Sequence, residues 1–168
     1  MLCLSQTKKA AANIRKFHQK QVRNSFIISE NDGIVTGQKV TPIEKSGPAL
    51  IAPTATIAGY TALGVDCLTV SNNHILDQGD EGFASTLSVL EGASIAYVGG
   101  GECLTAAAKP YIAEICGKRV GIYACAENEF SIATENAPGA NPFDALESPD
   151  HVAALKAQCD YVIVLYHG

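Results

Sequence analysis

The chain is poor in charge and in aromatic rings. Of its 168 residues, 17% are charged and 7% aromatic, with no tryptophan and one methionine, while 47% are hydrophobic. That balance excludes a disordered chain or a coiled coil and places the sequence among globular domains. No run of about 18 apolar residues occurs, so no membrane-spanning helix is expected. The start, Met1-Leu2-Cys3-Leu4-Ser5, is too short for a signal-peptide hydrophobic region and is soon interrupted by Lys8 and Lys9. As written, the chain is expected in the cytoplasm. Its six cysteines (Cys3, Cys67, Cys103, Cys116, Cys125 and Cys159) include no Cys-x-x-Cys pair, which argues against a zinc site or a disulfide framework. Cys67, Cys116, Cys125 and Cys159 lie in or beside apolar runs and read as small buried hydrophobes.

Acidic residues are missing from the first 29 positions, which hold six Lys or Arg; the remainder carries −11 against a whole-chain charge of −5. Residues 1–29 read as a basic helical leader whose charge is a solvated face. The acidic body argues against nucleic-acid binding. At this length one core is expected, over residues 30–168.

Along that body, residues 30–53 are rich in Gly, Pro, Thr and Lys and read as a long loop, preceded by a short strand at Phe26-Ile27-Ile28. An alternation follows. A helix over 53–63 stops at Gly64, a strand covers 65–70, a helix 80–90 and a strand 95–98 entering Gly99-Gly100-Gly101. A short helix over 102–108 leads to strands 111–115 and 119–125 around a Cys116-Gly117-Lys118 turn. Residues 127–148 read as a polar loop, 149–158 as a helix and 160–166 as a nearly all-apolar strand ending at His167-Gly168. Helices alternating with buried strands, plus one hairpin, predict an α/β fold with mixed sheets.

The donor-rich stretch is Ser71-Asn72-Asn73-His74-Ile75-Leu76-Asp77-Gln78-Gly79. It follows a buried strand and precedes a helix, and ligands of open α/β sheets sit outside the carboxyl ends of strands. Asn73 offers a carboxamide oxygen, His74 an imidazole and Asp77 a carboxylate. Hard divalent cations take such donors, and phosphate chemistry needs a nearby proton donor. The structural alternative is a strand-to-helix turn whose polar groups satisfy only the backbone. His167 stands at the end of the last strand. His18 and His151 read as surface residues, and Glu127-Asn128-Glu129 as solvated loop charge.

The Asn-Asn-His-x-x-Asp-x-Gly motif after a strand, with a later strand ending in His-Gly, resembles the bacterial capsule-synthesis CapA family. That family is also called poly-γ-glutamate synthesis protein, within the calcineurin-like metallophosphoesterase superfamily. Ala62 to Asp66, Val70 to His74 and Asp77 to Gly82 carry the likeness. Ala93 to Gly101, Ala107 to Pro110, Pro42 to Pro48 and Val162 to Gly168 support it. The resemblance spans roughly residues 40–168 and implies an α/β/β/α sandwich with divalent metal ions (Mn, Fe, Zn or Mg) at strand ends. By the same resemblance, Asn73 and His167 match metal ligands and His74 a catalytic histidine. Asp77 is placed to orient His74 by a hydrogen bond. A phosphate-containing or anionic polymer is the implied substrate, and family members are often membrane-associated or extracytoplasmic.

The departures from that family shape the expectation. No Gly-Asp ligand pair precedes Phe26, Ser29-Glu30-Asn31-Asp32 stands where Asn-Leu-Glu is expected, and no closing Gly-His-x-His follows. The chain therefore reads as a domain incomplete at both ends. It is a metal-dependent phosphoesterase-like hydrolase if other ligands complete it. Otherwise it is a truncated non-catalytic remnant or binding subunit that no longer holds metal. Association with a second copy is expected from an unpaired final strand.

Overall fold

The computed structural model describes residues 26–168. All but the last four residues of the expected basic leader lie outside that range. Ten short strands and four helices follow in chain order. They are β1 (Ile28–Glu30), β2 (Ile34–Val35), β3 (Ile51–Ala52), α1 (Ile57–Leu63), β4 (Cys67–Thr69), α2 (Gly79–Gly92), β5 (Ala96–Val98) and β6 (Gly100–Gly101). Then come α3 (Leu104–Ala107), β7 (Tyr111–Ile115), β8 (Lys118–Ala126), β9 (Gly139–Ala140), α4 (Glu147–Lys156) and β10 (Tyr161–His167).

Two three-stranded sheets organise the molecule. The first, in order β1-β4-β5, is wholly parallel, with Ile28 beside Cys67 and Cys67 beside Ala96. The second, in order β10-β8-β7, is mixed: β10 runs parallel to β8 from Tyr161↔Val120 to His167↔Ala126, while β7 and β8 form an antiparallel hairpin. Alternation of side chains along each strand assigns the layers. Cys67 on β4 meets Ile122 and Ala124 on β8 between the sheets. Leu68 and Val70 turn the other way onto Phe83 and Leu90 of α2. Tyr123 and Cys125 turn outward onto Leu155 of α4. Helix, sheet, sheet, helix is the expected α/β/β/α sandwich, although only the second of its two main sheets is mixed and the first is parallel throughout.

Two glycines are demanded by geometry. Gly64 caps α1 in the left-handed conformation (φ 73°), as its place after the apolar stretch predicted. Gly99 has φ +84°, and a Cβ there would lie 2.6 Å from Ser71 Cβ and 2.7 Å from Ala124 Cβ. The two sheets close on each other at this point, so no side chain fits.

Several boundaries differ from the sequence reading. The first strand begins two residues later than Phe26, because Ile28-Ser29-Glu30 is the stretch that pairs with β4. The loop over 30–53 holds β2 and β3, which pair in parallel. The loop over 127–148 contains β9, paired with β6. In both cases two-residue strands are fixed by tertiary pairing and leave no periodicity to read. α4 starts at Glu147, so Pro149 falls inside its first turn, where a missing N–H costs nothing. Cys67 and Cys125 are buried as expected and Cys159 is half-buried, but Cys116 is exposed at the hairpin turn with φ 52°. Its neighbouring apolar residues belong to β7 and do not enclose it.

Candidate functional site

The turn after β4 delivers two consecutive asparagines to opposite duties. Asn72 is fully buried; its Nδ2 donates to the Asn31 carbonyl at 2.7 Å, and its Oδ1 accepts from the His74 amide at 3.0 Å. It staples the end of β1 to the turn, which is the structural role a turn asparagine often has. Asn73 is half-buried and points its Oδ1 to His167 Nε2, 3.2 Å away. Its own carbonyl accepts from Ser131 Oγ at 2.8 Å, which fixes the peptide from the far loop.

His167 arrives at this point because β10 is parallel to β8 and ends beside β1. Its carbonyl accepts from the Glu127 amide at 2.8 Å. Its Nδ1 lies 2.6 Å from Glu30 Oε1. Glu30 is the last residue of β1 and was not singled out by sequence reading. Its partner is 137 residues away, so only the tertiary fold reveals the pair. A carboxylate can only accept, so the ring nitrogen facing it carries the proton. In the neutral ring the Nε2 lone pair then faces the Asn73 oxygen. A protonated Nε2 donates to that oxygen, whereas an unprotonated Nε2 and the Asn73 oxygen are two acceptors that a cation can join.

His74, the next residue in the chain, is held by a buried acid. Asp77 is fully buried, and its carboxylate takes three partners. His74 Nδ1 lies at 2.7 Å, Lys45 Nζ donates at 2.5 Å and the Leu50 amide donates at 2.7 Å. The Asp77 carbonyl also accepts from the Ile43 amide at 3.0 Å. Burial pushes the Asp77 carboxyl up, yet the Lys45, Leu50 and His74 bonds outweigh it and hold the group below the ordinary carboxylate range. With Nδ1–H donated to Asp77, Nε2 is the His74 nitrogen left free for chemistry. The expected Asp77–His74 bond is therefore present. Lys45, from the loop read only as polar, also stands 3.1 Å from His74 Nδ1.

The structure thus forms two groups, Asn73 with His167 and Glu30, and His74 with Asp77 and Lys45, joined by the adjacent backbone of Asn73 and His74. Among the described residues no three His, Cys, Asp or Glu side chains converge as metal ligands. The donors aimed at one point are Asn73 Oδ1 and His167 Nε2, with Glu30 behind the histidine. Carboxylate–histidine–metal relays are built this way. Two converging donors fall short of a full two-metal ligand set. His151 is exposed, as expected, and lies 3.4 Å from Tyr123 Oη, away from this cluster. Glu127, Asn128 and Glu129 are exposed, so their side chains are solvated loop residues as the sequence implied. His18 lies outside the described residues. No helix among those residues is long and apolar enough to cross a membrane.

Comparison with known proteins adds an outside measure. The profile of the family described as "Bacterial capsule synthesis protein PGA_cap" matches residues 8–168. Among solved structures, the NAD nucleotidase of Haemophilus influenzae superposes with a TM-score of 0.57 at 17% identity, over 94% of this chain and 27% of that one. A putative 5'-nucleotidase from Staphylococcus aureus gives 0.53 at 16%, over 94% of this chain and 31% of that one. These likenesses show the fold: a metallophosphoesterase-type sandwich. Histidinol dehydrogenase of Pseudomonas fluorescens strain Pf-5 is 51% identical over 39 residues, which are 23% of this chain and 9% of that enzyme. The corresponding enzyme of Geobacillus kaustophilus is 45% identical over 51 residues, 30% of this chain and 12% of its own length. Only residues 1–7 lie outside the family match, so this short likeness overlaps it. The chain spans about a tenth of those curated relatives and no more than 31% of these solved chains.

Proposed function

The chain belongs to the bacterial capsule synthesis family PGA_cap, and from that premise we propose that it serves assembly of an anionic capsule polymer of the poly-γ-glutamate kind through a metallophosphoesterase-type site. Asn73 and His167 would hold one divalent cation, Glu30 would set the His167 tautomer, and His74 oriented by Asp77 would supply a proton. The observation that carries this reading is the Asn73 Oδ1–His167 Nε2 approach at 3.2 Å, with Nδ1 already committed to Glu30.

A bound cation supplies Lewis-acid polarisation of a phosphoryl oxygen and an activated water. The chain's own residues do the rest. A phosphoester would be cleaved when water oxygen bonds to phosphorus and gives one proton to solvent, while the bond from phosphorus to the leaving oxygen breaks. His74 in its imidazolium form, stabilised by Asp77, gives its Nε2 proton to that oxygen. The turn holds Asn73 and His74 through Ser131 and Asn72, so neither has to be ordered when substrate arrives.

One structural fact favours a second reading. Catalytic metal sites generally keep at least three protein donors, and here two converge. With that set, the cation would serve to bind an anionic polymer and not to hydrolyse it.

Manganese titration followed by electron paramagnetic resonance tests the site. One bound ion per chain is expected, lost in both Asn73→Ala and His167→Ala. Absence of binding at about 10 mM manganese, above the roughly 1 mM weak end of specific cation sites, would overturn the metal reading, as would binding indifferent to both changes. An aryl phosphate then separates the two roles. Hydrolysis that His74→Ala abolishes while manganese stays bound supports the enzyme. Metal-dependent polymer binding without hydrolysis supports the binding role.

A further inference from the structure

Asn73 and His167 are 94 residues apart in the chain, yet their side chains meet at 3.2 Å. One short segment, residues 127–131, touches the backbone of both. It leaves β8 at Glu127, whose amide donates to the His167 carbonyl at 2.8 Å. At its other end, Ser131 Oγ donates to the Asn73 carbonyl at 2.8 Å. That carbonyl belongs to the peptide joining Asn73 to His74, so a single bond fixes the root of both side chains.

Ser131 makes this reach in an uncommon conformation. Its φ is +58°, in the left-handed region that residues other than glycine seldom adopt. The return leg of the same loop holds it there. The Ser131 carbonyl accepts from the Ala140 amide at 2.7 Å, and a Cβ on Gly139 would come within 2.5 Å of that carbonyl oxygen. Asn141, which follows, is buried; its carbonyl accepts from the Ala126 amide at 2.8 Å and from Ser71 Oγ at 3.3 Å. The loop is therefore fastened to β8 and to the turn that carries Asn73 as it leaves and as it returns. A strained residue persists only where its surroundings over-determine it, and such residues gather at functional sites.

We infer that residues 127–131 are a bracket that sets the spacing of Asn73 and His167, with Ser131 as its positioning residue. A turn alone would be made at lower cost by glycine, which takes a positive φ freely. Serine at this place forgoes that ease and supplies a hydroxyl to the Asn73 peptide. What the spacing serves rests on the cation reading proposed above; the bracket itself does not.

Nuclear Overhauser contacts between the Asn73 carboxamide protons and the His167 ring protons, read on the metal-free 168-residue chain, test it. Wild type should show them. Ser131→Ala loses the hydroxyl and keeps the strain, whereas Ser131→Gly loses the hydroxyl and relieves the strain. Both should lose the contact, although Ser131→Gly should melt at a higher temperature than Ser131→Ala. Contact and stability then move apart, which a merely structural serine would not produce. The manganese dissociation constant should rise about tenfold or more in both variants. A wild type that shows the contact and binds no manganese would support the bracket and sink the cation reading alone. Absence of the contact in wild type would overturn the inference. So would a contact that survives in both variants, or one that glycine restores.

Discussion

Replacing Asp77 by asparagine keeps the size of the side chain and removes its charge at a fully buried position. The carboxylate accepts from Lys45, the Leu50 amide and His74. A carboxamide has one oxygen, so its NH₂ must face at least one of these donors. Each hydrogen bond to a charged group contributes about 1.5–3 kcal/mol. Lys45 is 21% exposed and can swing to water, which limits the damage compared with a sealed pair. A net loss of about 3 kcal/mol follows, or roughly 6–12 °C in Tm for a domain of this size. Urea unfolding of Asp77→Asn, Lys45→Met and the double variant measures it. The two changes should be non-additive by about 1 kcal/mol or more, because they share one contact. The pH dependence supplies a second, signed check. The folded Asp77 carboxyl lies below its unfolded value of about 3.9. In the window between those values the unfolded chain binds more protons. Stability from this group is therefore complete above about pH 4 and is lost as pH falls through the folded value. Asp77→Asn should abolish that part of the acid slope. A variant within about 0.5 kcal/mol of wild type, with the acid slope intact, would refute Asp77 as the hub joining loop and site.

Glu30→Gln retains an acceptor for His167 Nδ1 but removes the charge behind it, so manganese affinity should fall about tenfold or more. Glu30 is exposed, so urea stability should move by less than about 0.5 kcal/mol; equal affinity would show that the carboxylate does not act on the histidine. Gly99→Ala forces a methyl into Ser71 Cβ and Ala124 Cβ at a positive φ, and should cost about 2–3 kcal/mol in urea unfolding. An alanine variant as stable as wild type would mean the sheets do not close there. Burial, and secondarily Asp66, pushes the Cys67 thiol up to about 12. A disulfide reagent at about pH 8 should therefore label Cys67 only as the protein unfolds. Labelling of the native chain would contradict its packing between the sheets.

The α/β class was readable from helices alternating with apolar strands, whereas the layer order came only as an implication of the family resemblance. In the structure Leu68 and Val70 face α2 while Cys67 faces the second sheet, a division that the apolar run 65–70 does not announce. The site was half readable from local signals. Asn73, His74 and Asp77 sit within one turn, so their proximity is a property of sequence. His167 stood out through its place at a strand end. The hidden half consists of residues whose meaning comes only from pairing. Glu30 meets His167 because β1 and β10 end on the same side of the sandwich, a relation that no spacing encodes. Lys45 reaches Asp77 from a loop whose composition announces only polarity. The two asparagines mark the limit most clearly. They are chemically identical neighbours, and the buried one, Asn72, is structural because the Asn31 carbonyl comes within 2.7 Å of it. What separates the ligand from the staple is the backbone that each one faces, and in this chain that backbone belongs to distant strands.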